Sequence, residues 1–315
     1  MIGNRIYHYT TMEAFYHLIE SITESKDKNS FVFRATNLFF MNDPQEFLYG
    51  QKVLMEILER IERDKNVPDD KCLYDFFVRH KEKSIEQWNR TLLDSIEEQN
   101  EIPYAIAFSH HKDSLPMWLN YGNQGKGVCL AFPEYRANIT GLGLSNPGKA
   151  DIEIDGSMST KEVFYQSNSI INQNNKKTWL YKDIENLYNK LYWGIVQKGN
   201  VNDWFSLQYA VIKALIIVEC PCIKSIEYEG ENECRIIRRL HQDYKGDMSE
   251  LHFRCNNKGN IIPYVNVEIP VNMLDYVRIG PMADTELSKN TINMMKKKFG
   301  LTFDIKESKV RYRIL

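Results

Sequence analysis

Long unbroken apolar runs are missing from this chain of 315 residues. None approaches the roughly 20 residues needed to span a bilayer, so no membrane is expected among its partners. An apolar stretch behind Met1-Ile2-Gly3-Asn4-Arg5 is also missing, which argues against a secretory leader and makes a cytoplasmic protein the expectation. Met1-Ile2 is not a myristoylation start either. Charge of one sign is not in excess: 40 basic and 42 acidic residues leave a net charge of −2, which excludes a global nucleic-acid signature and leaves only local basic patches to consider. The six cysteines are scattered and lack paired C-x₂-C spacing. That excludes a disulfide scaffold and leaves no metal expected at Cys220, Cys222, Cys234, His252 or Cys255. There are no heptads and no internal repeat, so neither a coiled coil nor a solenoid is expected.

Aromatic residues are abundant, with 18 Tyr and 15 Phe, enough for a sizeable core. The stretch from Ile102 to Phe132 organises the rest. Tyr104–Ser109 is a short apolar run that suits a buried strand. His110 to Ser114 is a polar break, and Pro116 opens a short helix carrying Met117, Trp118 and Tyr121. Gly122, Gly125 and Gly127 bracket a turn where positive φ is cheap. Val128–Phe132 is a second strand. Two strands this close, with Ser, His, Trp and Tyr between them, suit the wall of a pocket.

Arg5–Tyr9 reads as a first strand, and Thr11 followed by an apolar face at Phe15, Leu18, Ile19 and Ile22 reads as a helix. Phe31–Phe33 is a strand. Asp43 and Pro44 predict a helix start with Glu46 in a capping box, and residues 73–99 predict a second helix. Residues 134–159 read as a loop and residues 175–218 as a helical hairpin. Glu227 to Glu233 pile up acid in what reads as a solvated loop, and a strand follows from Glu233. Ile261–Ile269 and Tyr276–Gly280 are strands, and residues 284–299 form a helix with Leu287, Ile292 and Met295 inward. Strands outside a regular βαβ rhythm predict an α+β fold: a mixed or antiparallel central sheet with flanking helices. Residues 1–315 are expected to form one domain, with 134–218 as a loop and helical insertion within it.

Four motifs occur together: Tyr7-His8-Tyr9-Thr10; Asn42-Asp43-Pro44-Gln45-Glu46; Phe108-Ser109 with Met117-Trp118-Leu119-Asn120-Tyr121 and Gly125 to Phe132; and Lys224-Ser225 leading to Glu231-Asn232-Glu233-Cys234-Arg235-Ile236. With the later Ile279-Gly280-Pro281, this set resembles one uncharacterised, mostly bacterial domain-of-unknown-function family from residue 6 to about 282. That resemblance implies no activity. A looser one does: Tyr-His-Tyr-Thr on a first strand, followed at once by an amphipathic helix, resembles the opening of ADP-ribosyltransferase folds. Those folds set a His on the first core strand against a ribose of NAD, an aromatic or hydroxyl residue on a later strand, and a catalytic Glu near a further strand. The resemblance implies NAD as substrate, His8 on the ribose, Ser109 or Tyr121 lining the nicotinamide pocket, and Glu233 as catalytic acid. It implies a protein or nucleic-acid acceptor, with bacterial conflict or phage defence as the setting.

Cleaving the glycosidic bond of NAD builds oxocarbenium character on the ribose. A carboxylate such as Glu233 suits that charge and can activate the acceptor. Trp118 or Tyr121 can stack on nicotinamide, and Arg34 or Arg235 can hold a pyrophosphate. Tyr9, Thr10, Asn42, Asp43 and Glu46 would complete the rim. Each residue also has a plainer reading. His8 suits a strand-edge His bonded to backbone, and Asn42 to Glu46 suit helix capping. Trp118 and Tyr121 suit core packing, and Glu233 with Arg235 suits an ion pair on one strand face. Lys224, Arg235, Arg238, Arg239 and Lys245 suit a basic patch for nucleic acid, or charges balanced by neighbouring acids. The rival reading of the whole is a non-catalytic module that binds a nucleotide or a protein; a nuclease built on Asp43, Glu46 and Glu233 is a third.

Overall fold

The computed structural model describes residues 5–41, 46–79, 103–133, 142–144, 152–154, 159–166, 178–199, 201–238, 249–256 and 259–311. Strand β1 (Arg5–Thr10) runs into helix α1 (Met12–Glu20), whose N-cap Thr11 accepts the Ala14 N–H. Strand β2 (Ser30–Asn37) and helices α2 (Glu46–Lys65) and α3 (Leu73–Arg79) follow. Then come β3 (Tyr104–Ser109), the short helix α4 (Leu115–Asn120) and β4 (Val128–Pro133). The expected helix start at Asn42 and Asp43, and the expected helix beyond residue 79, lie outside the described residues.

The stretch expected to be loop between residues 134 and 159 contains strand. β5 (Leu142–Leu144) pairs with β6 (Ile152–Ile154), and β7 (Ser159–Glu162) joins the main sheet. Three-residue strands are too short to register as a periodicity. After β8 (Phe164–Gln166) come α5 (Trp179–Tyr188), a π-helical turn over Asn189–Trp193, α6 (Gly194–Lys198) and α7 (Trp204–Glu219). β9 (Ile223–Ser225), β10 (Glu233–Arg238), β11 (Leu251–Cys255), β12 (Ile261–Pro270), β13 (Tyr276–Ile279), α8 (Thr285–Phe299) and β14 (Asp304–Glu307) complete the order.

The fold is α+β. A ten-stranded sheet runs β11-β12-β2-β3-β1-β4-β13-β14, with β10 on β3 and β7 on β10. Its pairs are antiparallel except β13 with β14. One edge of β3 is shared: β2 takes Tyr104 and Ala105, and β1 takes Ser109. The other edge belongs to β10, which pairs Glu233 with Ser109 and Arg235 with Ala107.

Paired residues share a sheet face and successive residues alternate. Ile6, Phe33, Phe108, Phe132, Cys234 and Ile236 therefore pack on one face with α1 and α8. On that side α8 buries Ile292 while Leu287 is exposed, contrary to the inward position expected for it. Five residues apart on a helix is about 140° of rotation, so the two cannot share a face. The opposite face is covered by α2, α3, α5 and α7, whose apolar residues form one core.

Helix α7 is apolar all round because it is a core helix. The span Trp204–Cys222 is long and apolar enough to cross a bilayer by length and composition, and 78% of its most apolar window is buried in the fold. Ser206, Gln208, Lys213 and Glu219 interrupt the span, so it is not an unbroken apolar run.

The glycine turn follows expectation at Gly125 but not at Gly122 or Gly127. Positive φ is taken by Asn123, Gln124 and Gly125, whereas Gly127 permits close approach. A Cβ on Gly127 would lie 2.1 Å from the Thr10 carbonyl oxygen.

Candidate functional site

Charge is concentrated under the Ser109 face. Arg235, on β10, is fully buried. Its Nε donates to Glu233 Oε1 at 2.6 Å and its Nη2 to Glu233 Oε2 at 3.1 Å. Its Nη1 donates to the Pro221 carbonyl at 2.6 Å and to the Glu46 carboxylate. Glu46 is the first residue of α2, where a carboxylate also suits the positive end of the helix dipole. Lys224, on β9, donates to Glu233 at 2.9 Å and to Glu231 at 2.7 Å, with its ammonium 4.9 Å from the centre of the Tyr228 ring.

The rim of this cluster is built by loops. The Tyr121 hydroxyl, at the C-cap of α4, donates to Glu231. Ser109 Oγ donates to the Glu231 carbonyl at 2.6 Å and accepts the His111 N–H at 3.0 Å. Asn232 adopts left-handed backbone, φ 42° and ψ 58°, at the turn from Glu231 into β10; Asn tolerates that region better than most residues. The Tyr165 hydroxyl accepts the Glu233 N–H at 2.8 Å.

Three carboxylates face two cations, so the cluster carries one excess negative charge when all are ionised. Burial pushes the Glu233 carboxyl up, but the Arg235 and Lys224 charges outweigh it and hold the group below its ordinary value. Burial disfavours the Lys224 ammonium, and the charges of Glu233, Glu46 and Glu231 together overcome this and raise its pKa. The side chains of Glu233 and Glu46 are 4% and 8% exposed; that of Glu231, at 14%, is the most accessible carboxylate of the three.

The other sequence candidates are distributed as follows. Tyr7, Ser109 and Glu233 form a row across β1, β3 and β10 on one face. His8 is one residue out of step and lies on the opposite face, so it does not meet Glu233. It sits between Phe33 and Phe108, with ring centres 5.5 and 5.4 Å away. Its Nδ1 is 2.9 Å from the Ala107 carbonyl, in the part of β3 between the segments paired to β2 and to β1. Burial lowers its pKa, favouring neutral imidazole. His8 thus satisfies a backbone group where two strands diverge.

Thr10 ends the same strand on the His8 side of the sheet. Tyr9 is buried on the Ser109 side, donating to the His111 carbonyl at 2.7 Å and accepting the Ser114 N–H at 3.0 Å. Trp118 is fully buried edge-on to Tyr9 and donates to Asp113 at 2.8 Å, so its ring is not available for stacking on a ligand. Arg34 is exposed on β2, outside the cluster, with its guanidinium 5.3 Å from the Tyr264 ring centre. Asn42 and Asp43 lie outside the described residues.

Lys224 and Glu231 were not among the sequence candidates for the site. The acid run was read as solvated, and Glu227 and Glu229 are exposed; Glu231 and Glu233 turn inward instead. The available signal was Glu-x-Glu-x-Arg alternation seven residues after a lysine. Among the described residues no group of acidic, His and Cys side chains is arranged to hold a metal.

No curated protein and no solved structure matches the chain. Residues 117–236, which carry Trp118, Tyr121, Lys224, Glu231, Glu233 and Arg235, match the model of an uncharacterised family described as "Protein of unknown function (DUF2971)".

Proposed function

We propose that this chain is an ADP-ribosyltransferase-like enzyme that takes NAD as substrate and modifies a macromolecular acceptor. The observation that carries the reading is the row Tyr7–Ser109–Glu233 on one face of three adjacent strands. An aromatic residue, a hydroxyl and a carboxylate on successive core strands are the elements such an enzyme needs. The first-strand position belongs to Tyr7 and Tyr9 rather than to His8.

In this reading Glu233 is a fixed, ionised anchor that sets Lys224. Glu231 is the carboxylate that meets the ribose, with Tyr121 hydrogen-bonded beside it. As the bond from ribose C1′ to nicotinamide breaks, its electron pair leaves with nicotinamide. The positive charge left on the ribose is stabilised by the carboxylate. The acceptor nucleophile then bonds to C1′ and gives up its proton to a carboxylate acting as base. The bacterial defence setting goes with the same resemblance.

A second reading is favoured by one observation. Both Glu233 oxygens are already bonded, to Arg235 and to Lys224. That suits a non-catalytic module in which the cluster is structural and its rim recognises a nucleotide or a protein partner.

Calorimetry with NAD, followed by an assay for released nicotinamide, separates the two. Release that falls at least a hundredfold in Glu231→Gln, with NAD affinity retained, supports the transferase. Binding without release supports the module. A folded protein that does not bind millimolar NAD excludes the transferase reading.

A further inference from the structure

Arg34 finds a different setting from the one the sequence suggested. It lies on β2 opposite Asn266 of β12, and Arg254 lies on β11 opposite Ile262 of β12. By strand alternation both arginines face the same side of the sheet, flanking Tyr264, which pairs with Thr36 on one side and His252 on the other. The Arg34 guanidinium sits over Tyr264. Arg254 Nη2 donates to Thr36 Oγ1 at 2.9 Å. The His252 and Tyr264 rings lie 5.5 Å apart, only 31° from parallel.

Both arginines are exposed, and among the described residues neither has a carboxylate within ion-pair distance. Among the described residues, Glu250 of this neighbourhood accepts from Arg238, and Glu268 accepts the Lys26 N–H. Arg254 is exposed as a residue but its head group is partly covered; that cover first, and the Arg34 charge second, hold the guanidinium below its ordinary value. Two like charges held on one sheet face, with no counter-ion among the described residues, suit an anion.

We propose that the Arg34–Arg254 pair with Tyr264 and His252 is a binding site for single-stranded nucleic acid. The two guanidiniums take phosphodiester oxygens, Arg34 leaving the face of Tyr264 as it does so, and that face, with the His252 ring beside it, is then the stacking surface for bases. Paired arginines suit phosphate oxygens in a fixed geometry, and aromatic side chains on a sheet face accept any base. A free phosphate would use the arginines alone, whereas a nucleic acid also uses the rings. The site is independent of the chemistry at Glu231 and Glu233.

The test is fluorescence anisotropy of the full chain with labelled oligo-dT and oligo-U across a salt series. The expected result is binding that weakens about tenfold in Tyr264→Ala, in line with the loss of one stacked base. Arg34→Ala and Arg254→Ala should each weaken it and reduce the slope of log affinity against log salt by about 1. Lys306→Ala with Lys309→Ala, in the separate basic cleft of about 460 Å³ beside Arg278 and Lys289, should leave binding unchanged. Thermal melts and circular dichroism establish that each variant is folded. Absence of binding at low salt overturns the proposal, as does equal loss in the lysine variant. Loss in the arginine variants with no effect of Tyr264→Ala overturns it in favour of a simple phosphate site.

Discussion

Arg235 and the Arg34–Arg254 pair share one sheet face and show opposite treatments of the same side chain. Arg235 is fully buried and bonds four oxygens, from two carboxylates and one carbonyl. Arg34 and Arg254 are exposed, adjacent and without an acidic partner among the described residues. A guanidinium inside a protein must be neutralised before it can be desolvated, whereas one at the surface can keep its charge for a ligand. The closed network is therefore expected to matter for stability and the open pair for recognition. The contrast also explains why the plainest functional residue of the motif, Glu233, has both oxygens held by cations.

The comparison can be broken from either side. The largest effect belongs to Arg235→Ala, which leaves the buried carboxylates Glu233 and Glu46 with Lys224 alone against them among the described residues; urea unfolding should show a loss of about 3–5 kcal/mol. Next is the pH dependence of Glu233. Its folded pKa lies below the ordinary 4.5, so it stabilises the fold above that pH and the contribution is lost as pH falls through the lowered folded value. Glu233→Gln should flatten the acid limb of stability measured by denaturant midpoint below about pH 4.5 relative to the parent. A double-mutant cycle on Glu46 and Arg235 should return a favourable coupling of about 0.5–3 kcal/mol. The smallest effect is that of Arg34→Ala or Arg254→Ala, each within about 0.5 kcal/mol in the same unfolding experiment. A large loss at Arg34 together with a negligible one at Arg235 would invert the comparison.

Much of the sheet was legible because its strands carry their own period. Arg5–Thr10, Tyr104–Ser109 and Ile261–Pro270 alternate or run apolar as buried strands do, and α2 and α5 show apolar faces at helical spacing. Thr11 and Asp284 announce their helices by capping chemistry. The site was legible only in fragments. Glu233 and Arg235 stood out by alternation, but Lys224 and Glu231 belong to the site through turns whose geometry no period encodes. His8 and Glu233 are expected together because the ADP-ribosyltransferase resemblance puts both at one site. One residue of strand register separates them, and register between β1, β3 and β10 is a tertiary property. The Arg254–Thr36 contact joins positions 218 residues apart, so the arginine pair could be read only from β12 lying between its two partners.

The Arg235–Glu46 bond has a kinetic consequence. It closes a loop of 189 residues between the start of α2 and the middle of β10. Contacts of such separation form only after much of the chain has collapsed, and the compensation for dehydrating the guanidinium arrives with them. Glu233, two residues away on the same strand, can shield Arg235 earlier, as soon as β10 forms. The local pair acts as an escort during folding and the distant carboxylate as a latch. Removing Glu46 should chiefly accelerate unfolding and leave the folding rate nearly unchanged, as for an interaction absent from the transition state.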